Sequence, residues 1–426
     1  MYIGVDCGTQ STKVVLVDGA DGRIIGEASR PHALDQGDNG RREQRVESWT
    51  EAFRGALGDA LTQAGVDGRE VRAIGISGQQ HGMVALDAEG MAVHPAKLWN
   101  DTETAAWNAD LIERLGGEAG CLDKLGLVLQ TGYTASKIAW LRETHPQAYA
   151  RIATLLLPHD YLNFWLTGER VAEAGDASGT GYFDTRNRQW RHDVFAVIAP
   201  ELDPAQVLPR LIDSREAAGT VRPELARELG LGEDVLVASG GGDNMMGAIG
   251  TGNIVPGRVT ISLGTSGTIA VHSPEPVVPD NAMVANFCAS HAGWLPLICT
   301  MNVTSATTTM RELVGLDIAG FNRAVERAEP GAGGVTRCRS SAASGYRRCP
   351  RPTPACTASP ASTQAPTTCV ARRWRAPPSA CATGSSCWGR WPIERPRCAW
   401  SAVAPRARCG VRSSLTCWMW RWCVRW

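Results

Sequence analysis

No stretch of this chain is both long and apolar enough to cross a bilayer, and its first residues do not join a basic segment to an apolar one. The expectation is a cytoplasmic protein with no membrane partner. A Gly-x-x-x-x-Gly-Lys-[Ser/Thr] loop is missing as well, which disfavours a P-loop enzyme. Other absences are confined to one end. Residues 338–426 contain no Lys, no Asp, no His and a single acid, Glu394, against 15 Arg. Ten of the 14 Cys and eight of the 15 Trp fall there, yet no C-x-x-C pair occurs, so a zinc site is not expected.

The formal net charge of zero is therefore a sum of opposites: residues 1–337 hold 28 basic and 42 acidic side chains, a net −14, and the remainder carries +14. The first segment has the composition of an ordinary acidic protein. Its four scattered cysteines, Cys7, Cys121, Cys288 and Cys299, read as reduced thiols.

Strand-like and helix-like stretches alternate through 1–337, the pattern of an α/β protein. YIGVD and KVVLVD are apolar strands joined by a Gly/Thr/Ser turn, and WTEAFRGALGDALTQAG (49–65) has helical spacing. VRAIGISG (71–78) and DVLVASG (234–240) read as buried strands. ETAAWNADLIERLG (103–116) and SKIAWLRETHPQAYARI (136–152) read as helices. VTISLGTSGTIAV (259–271) repeats the opening layout of strand, Gly-Thr turn and strand. A duplicated α/β pair with a nucleotide between its halves would explain the recurrence, and so would two unrelated hairpins.

Several segments hold residues suited to chemistry. In Asp6-Cys7-Gly8-Thr9-Gln10-Ser11-Thr12-Lys13, the glycine permits a tight turn whose N–H groups and hydroxyls can face an anion, and Lys13 adds charge for a phosphate. Asp6, ending a strand, could hold Mg²⁺ through water; the plain alternative is a polar hairpin. VLVASGGGDNMMGAIG (235–250) runs a strand into three glycines and then Asp243-Asn244. There Asp243 either takes a proton from an attacking hydroxyl or simply caps a helix. Gln80 and His81 follow a strand, and Trp99, Asn100 and Asp101 set an aromatic face beside polar groups; both sets suit a hydroxylated ligand such as a sugar. A structural histidine and a loop tryptophan are the plain readings.

Together, in order and spacing, the opening Asp-x-Gly-Thr-x-Ser-x-Lys, SGQQHG, LWND, GYTASKIAWL, GGGDN and LGTSG resemble the sugar kinases of the FGGY family. Gly132-x-Thr134-x-x-Lys137-Ile138-x-Trp140-Leu141 looks like one of that family's signatures. The resemblance implies duplicated actin/hexokinase-like (ribonuclease H-like) ATPase domains and phosphoryl transfer from ATP with Mg²⁺. It makes Asp243 the expected base and His81 and Asn244, with Gln80, Trp99, Asn100 and Asp101, the expected sugar contacts. Gly8, Thr9, Gln10, Ser11 and Lys13, with Gly264, Thr265 and Ser266 from the second hairpin, are the expected nucleotide contacts. The stretch around Gln80-His81-Gly82 is most like the members that phosphorylate D-xylulose; a homodimer is compatible with this reading.

The family continues with S-G-E-R-x-P, M-E-G-A and a glycine-rich adenosine loop, none of which appears after residue 337. Shifting the reading frame by one base recovers them. CRSSAASGYRRCP (338–350) can then be read as LPFLSGERVPALP, WRAPPSACATG (374–384) as MEGATFGLRYG, and WSAVAP (400–405) as LVGGGA. One offset yields three landmarks in order, with the slip near GAGGVTR (331–337). The expected organisation is an N-terminal domain over 1–245, the first part of an incomplete second domain over 246–337, and an out-of-frame tail over 338–426 without a stable fold. The offset also explains the Arg/Trp-rich composition, so no nucleic-acid partner is expected.

Overall fold

The computed structural model describes residues 1–264, 267–277, 279, 282–300 and 303–329, together with the backbone of 336–338, 355–357 and 397–401. The opening apolar run forms two antiparallel strands, β1 (Tyr2–Cys7) and β2 (Ser11–Val17), followed by β3 (Ile24–Pro31). Period-two burial places Ile3, Val5 and Cys7 of β1 and Thr12, Val14 and Leu16 of β2 on one covered face. That face is closed by helix α1 (Val46–Ala64), whose Val46, Trp49, Phe53, Ala56, Leu57 and Ala60 recur at helical spacing. The helix stops at Gly65, which turns left-handed at φ 66° and donates its N–H to the carbonyls of Leu61 and Thr62.

Strand β4 (Ala73–Gly78) pairs in parallel with β1, register Tyr2↔Ala73 to Cys7↔Gly78. Helix α2 (Thr134–Thr144) follows. The long helix anticipated over 136–152 is broken at His145, because Pro146 cannot continue it and starts a new short turn instead. Helices α3 (Pro158–Thr167) and α4 (Ala174–Ala177) come next. Strands β5 (Ala217–Thr220), β6 (Leu236–Ala238) and β7 (Gly241–Gly242) then complete a seven-stranded sheet in the order β5-β6-β4-β1-β2-β3, with β7 also beside β4.

Helix α5 (Asp243–Gly250) leads into a second, five-stranded sheet. Its strands are β8 (Arg258–Leu263), β9 (Gly267–Val271), β10 (Ala285–Cys288), β11 (Trp294–Thr300) and β12 (Arg397–Ser401), in the order β10-β11-β9-β8-β12. Here β8 and β9 repeat the β1–β2 hairpin, and β12 lies parallel to β8, Arg258↔Arg397 to Ser262↔Ser401, as β4 lies beside β1. The repeated hairpin, with a parallel neighbour on its first strand each time, favours a duplicated pair over two unrelated hairpins, and the fold is the α/β one anticipated.

Most of the expectation of an unfolded tail falls outside the described residues; β12 and the pair Thr336–Cys338 and Ala355–Thr357 are the described exceptions. Among the described residues the four early cysteines are free thiols, and no helix is long and apolar enough to cross a membrane.

Candidate active site

Parallel strands present their carboxyl ends at one edge, where α/β sheets place their ligands. Here β1, β4 and β7 bring Asp6, Ser77 and Gly241 side by side, Asp6↔Ser77 and Ser77↔Gly241. The segments leaving that edge are Gly8–Ser11, Gln79–His81 and Asp243–Asn244. Gly240 takes φ +67° to make the turn. A Cβ on Gly242 would fall 2.6 Å from Cγ of Gln80, so only glycine lets the two segments meet.

Asp243 is not the helix cap. Gly242 occupies that position, and Asp243 is the first helical residue. Its Oδ1 accepts from the Asn244 backbone N–H at 2.8 Å and from Asn244 Nδ2 at 3.0 Å. The residue stays open to solvent although protein surrounds the carboxyl. Desolvation pushes its pKa up to about 7, with Asp6 and then Asp176 adding to the rise and Asn244 opposing it. Solvent reaching the exposed side chain works against this rise, which is largest in a closed, dry site.

Asn244 joins the two halves. Its Nδ2 donates to Gln80 Oε1 at 2.8 Å, and its Oδ1 accepts from Thr268 Oγ1 of β9 at 2.9 Å. His81 stands at a left-handed φ of 63°, its ring 4.8 Å from that of Tyr133 and 5.6 Å from that of Phe287. Burial, with Lys137 nearby, lowers its pKa to about 3, so it is a neutral imidazole. Its Nδ1 is buried without a partner.

Trp99 donates Nε1–H to Thr9 Oγ1 at 2.9 Å, and Thr9 donates in turn to Gln79 Oε1 at 3.1 Å. The Thr9 hydroxyl is thus held by protein rather than presented to an anion. Asn100 keeps a buried, unpartnered Oδ1. Asp101 is fully buried, in a cluster where Lys97 Nζ meets Glu43, Asp101 and Glu103 at 2.9, 3.0 and 2.5 Å. Those three carboxylates would suit a metal ion in spacing, but the Lys97 ammonium already pairs with all three. Burial works against the Lys97 charge, and Glu103, Glu43 and Asp101 outweigh it, so its pKa is raised.

In the first hairpin the Gly8 N–H donates to the Ser11 carbonyl at 3.1 Å, closing the turn, while Gln10 and Lys13 are exposed. Lys13 stands opposite Asp6 across the β1–β2 ladder. Gly264 of the second hairpin accepts from the Thr304 N–H at 3.0 Å; Thr265 and Ser266 lie outside the described residues. Asp6 fits a divalent cation: the residue reaches solvent at the cleft edge although protein surrounds its carboxyl, which among the described residues accepts a long, 3.4 Å bond from Ser77. Burial raises its pKa, and its charge raises that of Asp243, a repulsion that a cation would relieve.

Comparison with known proteins identifies the family. The N-terminal domain of the FGGY family of carbohydrate kinases matches residues 1–250. The chain belongs to the FGGY family of carbohydrate kinases. A xylulose kinase of Haemophilus influenzae is 49% identical over 340 residues, covering 79% of this chain and 69% of that protein. One from Streptomyces coelicolor is 42% identical over 318 residues, 74% of this chain and 63% of its own length. This chain thus spans about two thirds of the length of the curated relatives it matches. A solved xyloylose kinase from Brucella ovis superposes with a TM-score of 0.83 at 28% identity, over 94% of this chain and 81% of the other. FGGY kinases take the phosphoryl group from ATP.

Within this FGGY kinase, the signature lysine supports the site from below. Lys137 is fully buried, and its Nζ donates to three backbone carbonyls: His81 at 3.1 Å, Tyr133 at 2.9 Å and Gly132. It fixes the strained His81 backbone by gripping its carbonyl. Burial lowers the Lys137 pKa to about 7, an effect that Asp101 opposes and Lys97 reinforces. Three further residues behind the cleft, His159, Glu173 and Asp176, carry no local motif. Their signal is a contact that the sequence does not display.

Proposed function

We propose that the protein encoded in the restored reading frame is a xylulose kinase like its named FGGY relatives, acting in the cytoplasm and transferring the γ-phosphoryl group of ATP to the 5-hydroxyl of D-xylulose. Asp243 takes the hydroxyl proton. Gln80, His81, Trp99, Asn100 and Asn244 surround the sugar, with Asp101 holding their loop through Lys97. The hairpins at Gly8–Ser11 and Gly264–Ser266, with Lys13, hold the phosphates. Asp6 would hold Mg²⁺, which would supply neutralisation of the phosphate charge. Catalysis in this class is mostly positioning and charge neutralisation, so closure of the two domains matters as much as any one group.

The observation that carries the reading is the convergence of Asp243, Asn244 and Gln80 where the two halves meet, bridged by the 2.8 and 2.9 Å bonds of Asn244. The proposed boundaries are an N-terminal domain at 1–245, part of a second domain at 246–337 and an out-of-frame tail at 338–426. The last point is supported by the three family landmarks that one frame offset recovers in order. The 426-residue chain then retains the sugar groups without the adenosine loop. It is a sugar-binding remnant of an enzyme that is active in the restored frame.

A panel of D-xylulose, D-ribulose and D-gluconate on the frame-restored enzyme tests the substrate. D-xylulose should give the highest kcat/KM, by at least roughly 10-fold, the scale of one well-placed contact. Preference for either of the others would replace the sugar named here.

A further inference from the structure

An amide side chain can point either way round, and the carboxyl that serves as a base has two oxygens. Something must decide which faces where. Behind the cleft, His159 Nδ1 lies 2.6 Å from Asp176 Oδ2, and both side chains are fully buried. The Asp176 backbone is fixed by Glu173, whose carboxylate accepts from the N–H groups of Gly175 and Asp176, each at 2.6 Å. The other Asp176 oxygen, Oδ1, faces Nε2 of the buried Gln80 at 3.4 Å, a long but charge-assisted bond.

A carboxylate only accepts. Asp176 therefore holds the NH₂ end of Gln80 and turns the carbonyl end toward Asn244. Gln80 Oε1 in turn requires the NH₂ end of Asn244, which leaves the Asn244 oxygen for Thr268. With Asn244 so oriented, its Nδ2 also donates to Asp243 Oδ1, which already accepts the Asn244 backbone N–H. Both bonds saturate the same oxygen and leave Oδ2 to receive a proton.

We propose that Asp176 is a positioning residue for the phosphoryl transfer: through Gln80 and Asn244 it sets the polarity of a hydrogen-bond relay that presents Oδ2 of Asp243 to the sugar. The relay runs from α4 through the loop after β4 to α5 and β9, crossing from one half of the molecule to the other. His159 holds the outer end. Burial opposes its charge, but Asp160 and Asp176 overcome that and push its pKa up to about 9, so it faces Asp176 as a cation. The catalytic part of this inference rests on the kinase reading; the direction of the relay does not.

Reversing the direction of one bond tests it. Gln80→Glu sets two carboxylates against each other, and Asp176→Asn removes the carboxylate that fixes the polarity. Combining Gln80→Glu with Asp176→Asn restores it: the new amide at position 176 can donate to the new carboxylate at position 80, which still accepts from Asn244. In thermal unfolding of the 426-residue chain, Gln80→Glu should lower Tm sharply and the double variant should recover most of the loss. Additive Tm changes would overturn the relay. In the frame-restored enzyme, Asp176→Asn should lower kcat roughly 10–100-fold with the KM for ATP unchanged. A kcat for Asp176→Asn equal to wild type would overturn the positioning role. A frame-restored wild type silent on D-xylulose, with the Tm recovery intact, would reject the sugar and keep the relay.

Discussion

Replacing Asp243 by Ala in the frame-restored enzyme should lower kcat by roughly 10²–10⁴-fold, the range that a positioned proton acceptor supplies. The KM for ATP should change little, because the role proposed for the carboxyl is at the sugar hydroxyl and not on the nucleotide hairpins. Stability should move the opposite way. A carboxyl whose folded pKa is raised favours the fold while protonated. That contribution is complete below about pH 4 and is lost as pH rises through about 7. At pH 8 the native charge is thus a burden, and Asp243→Asn should raise Tm more at pH 8 than at pH 5, as measured by differential scanning calorimetry. Such a trade of stability for activity is what an active-site acid is expected to show.

The second large effect concerns the reading frame. The 426-residue chain should turn over no ATP with D-xylulose above background. The protein made after a single-base correction near codons 331–337 should reach an ordinary enzyme rate, on the order of 1–10³ s⁻¹. The short chain should nevertheless be stabilised by D-xylulose in a thermal shift assay, since Gln80, His81 and Asn244 lie within its described fold. Equal turnover by both proteins would reject the out-of-frame reading of 338–426. Sequencing the DNA across those codons would show whether the shift lies in the gene.

The sequence was most legible where a local pattern had one physical cause. Alternating apolar residues placed β1 and β2, and helical spacing placed α1 within a few residues of Val46–Ala64. The stretch 136–152 reads as one continuous helix because its apolar spacing carries past Pro146; the proline ends it in the structure. At the site, the glycines before Asp243 were readable as a close approach, yet the partner they admit, Gln80, lies more than 160 residues away. Asp101 reads as a cleft group beside Trp99 until Lys97 is seen to claim its carboxylate. Lys137 could be noticed only as part of a signature, for nothing in TASKIAWL says that its ammonium will grip the carbonyl of His81. His159 and Asp176 had no signal at all, because their roles exist only once α3, α4 and β4 pack together.

The most direct measurement is the pH dependence of kcat/KM for D-xylulose in the frame-restored enzyme. The free enzyme's base governs the acid limb of that profile. With Asp243 as the base, the rate should fall toward acid with a midpoint well above the ordinary aspartate range and approaching about 7, and the limb should vanish from the small residual rate of Asp243→Asn. A rate that stays flat between about pH 5 and 8, or an acid limb that survives in Asp243→Asn, would contradict the assignment.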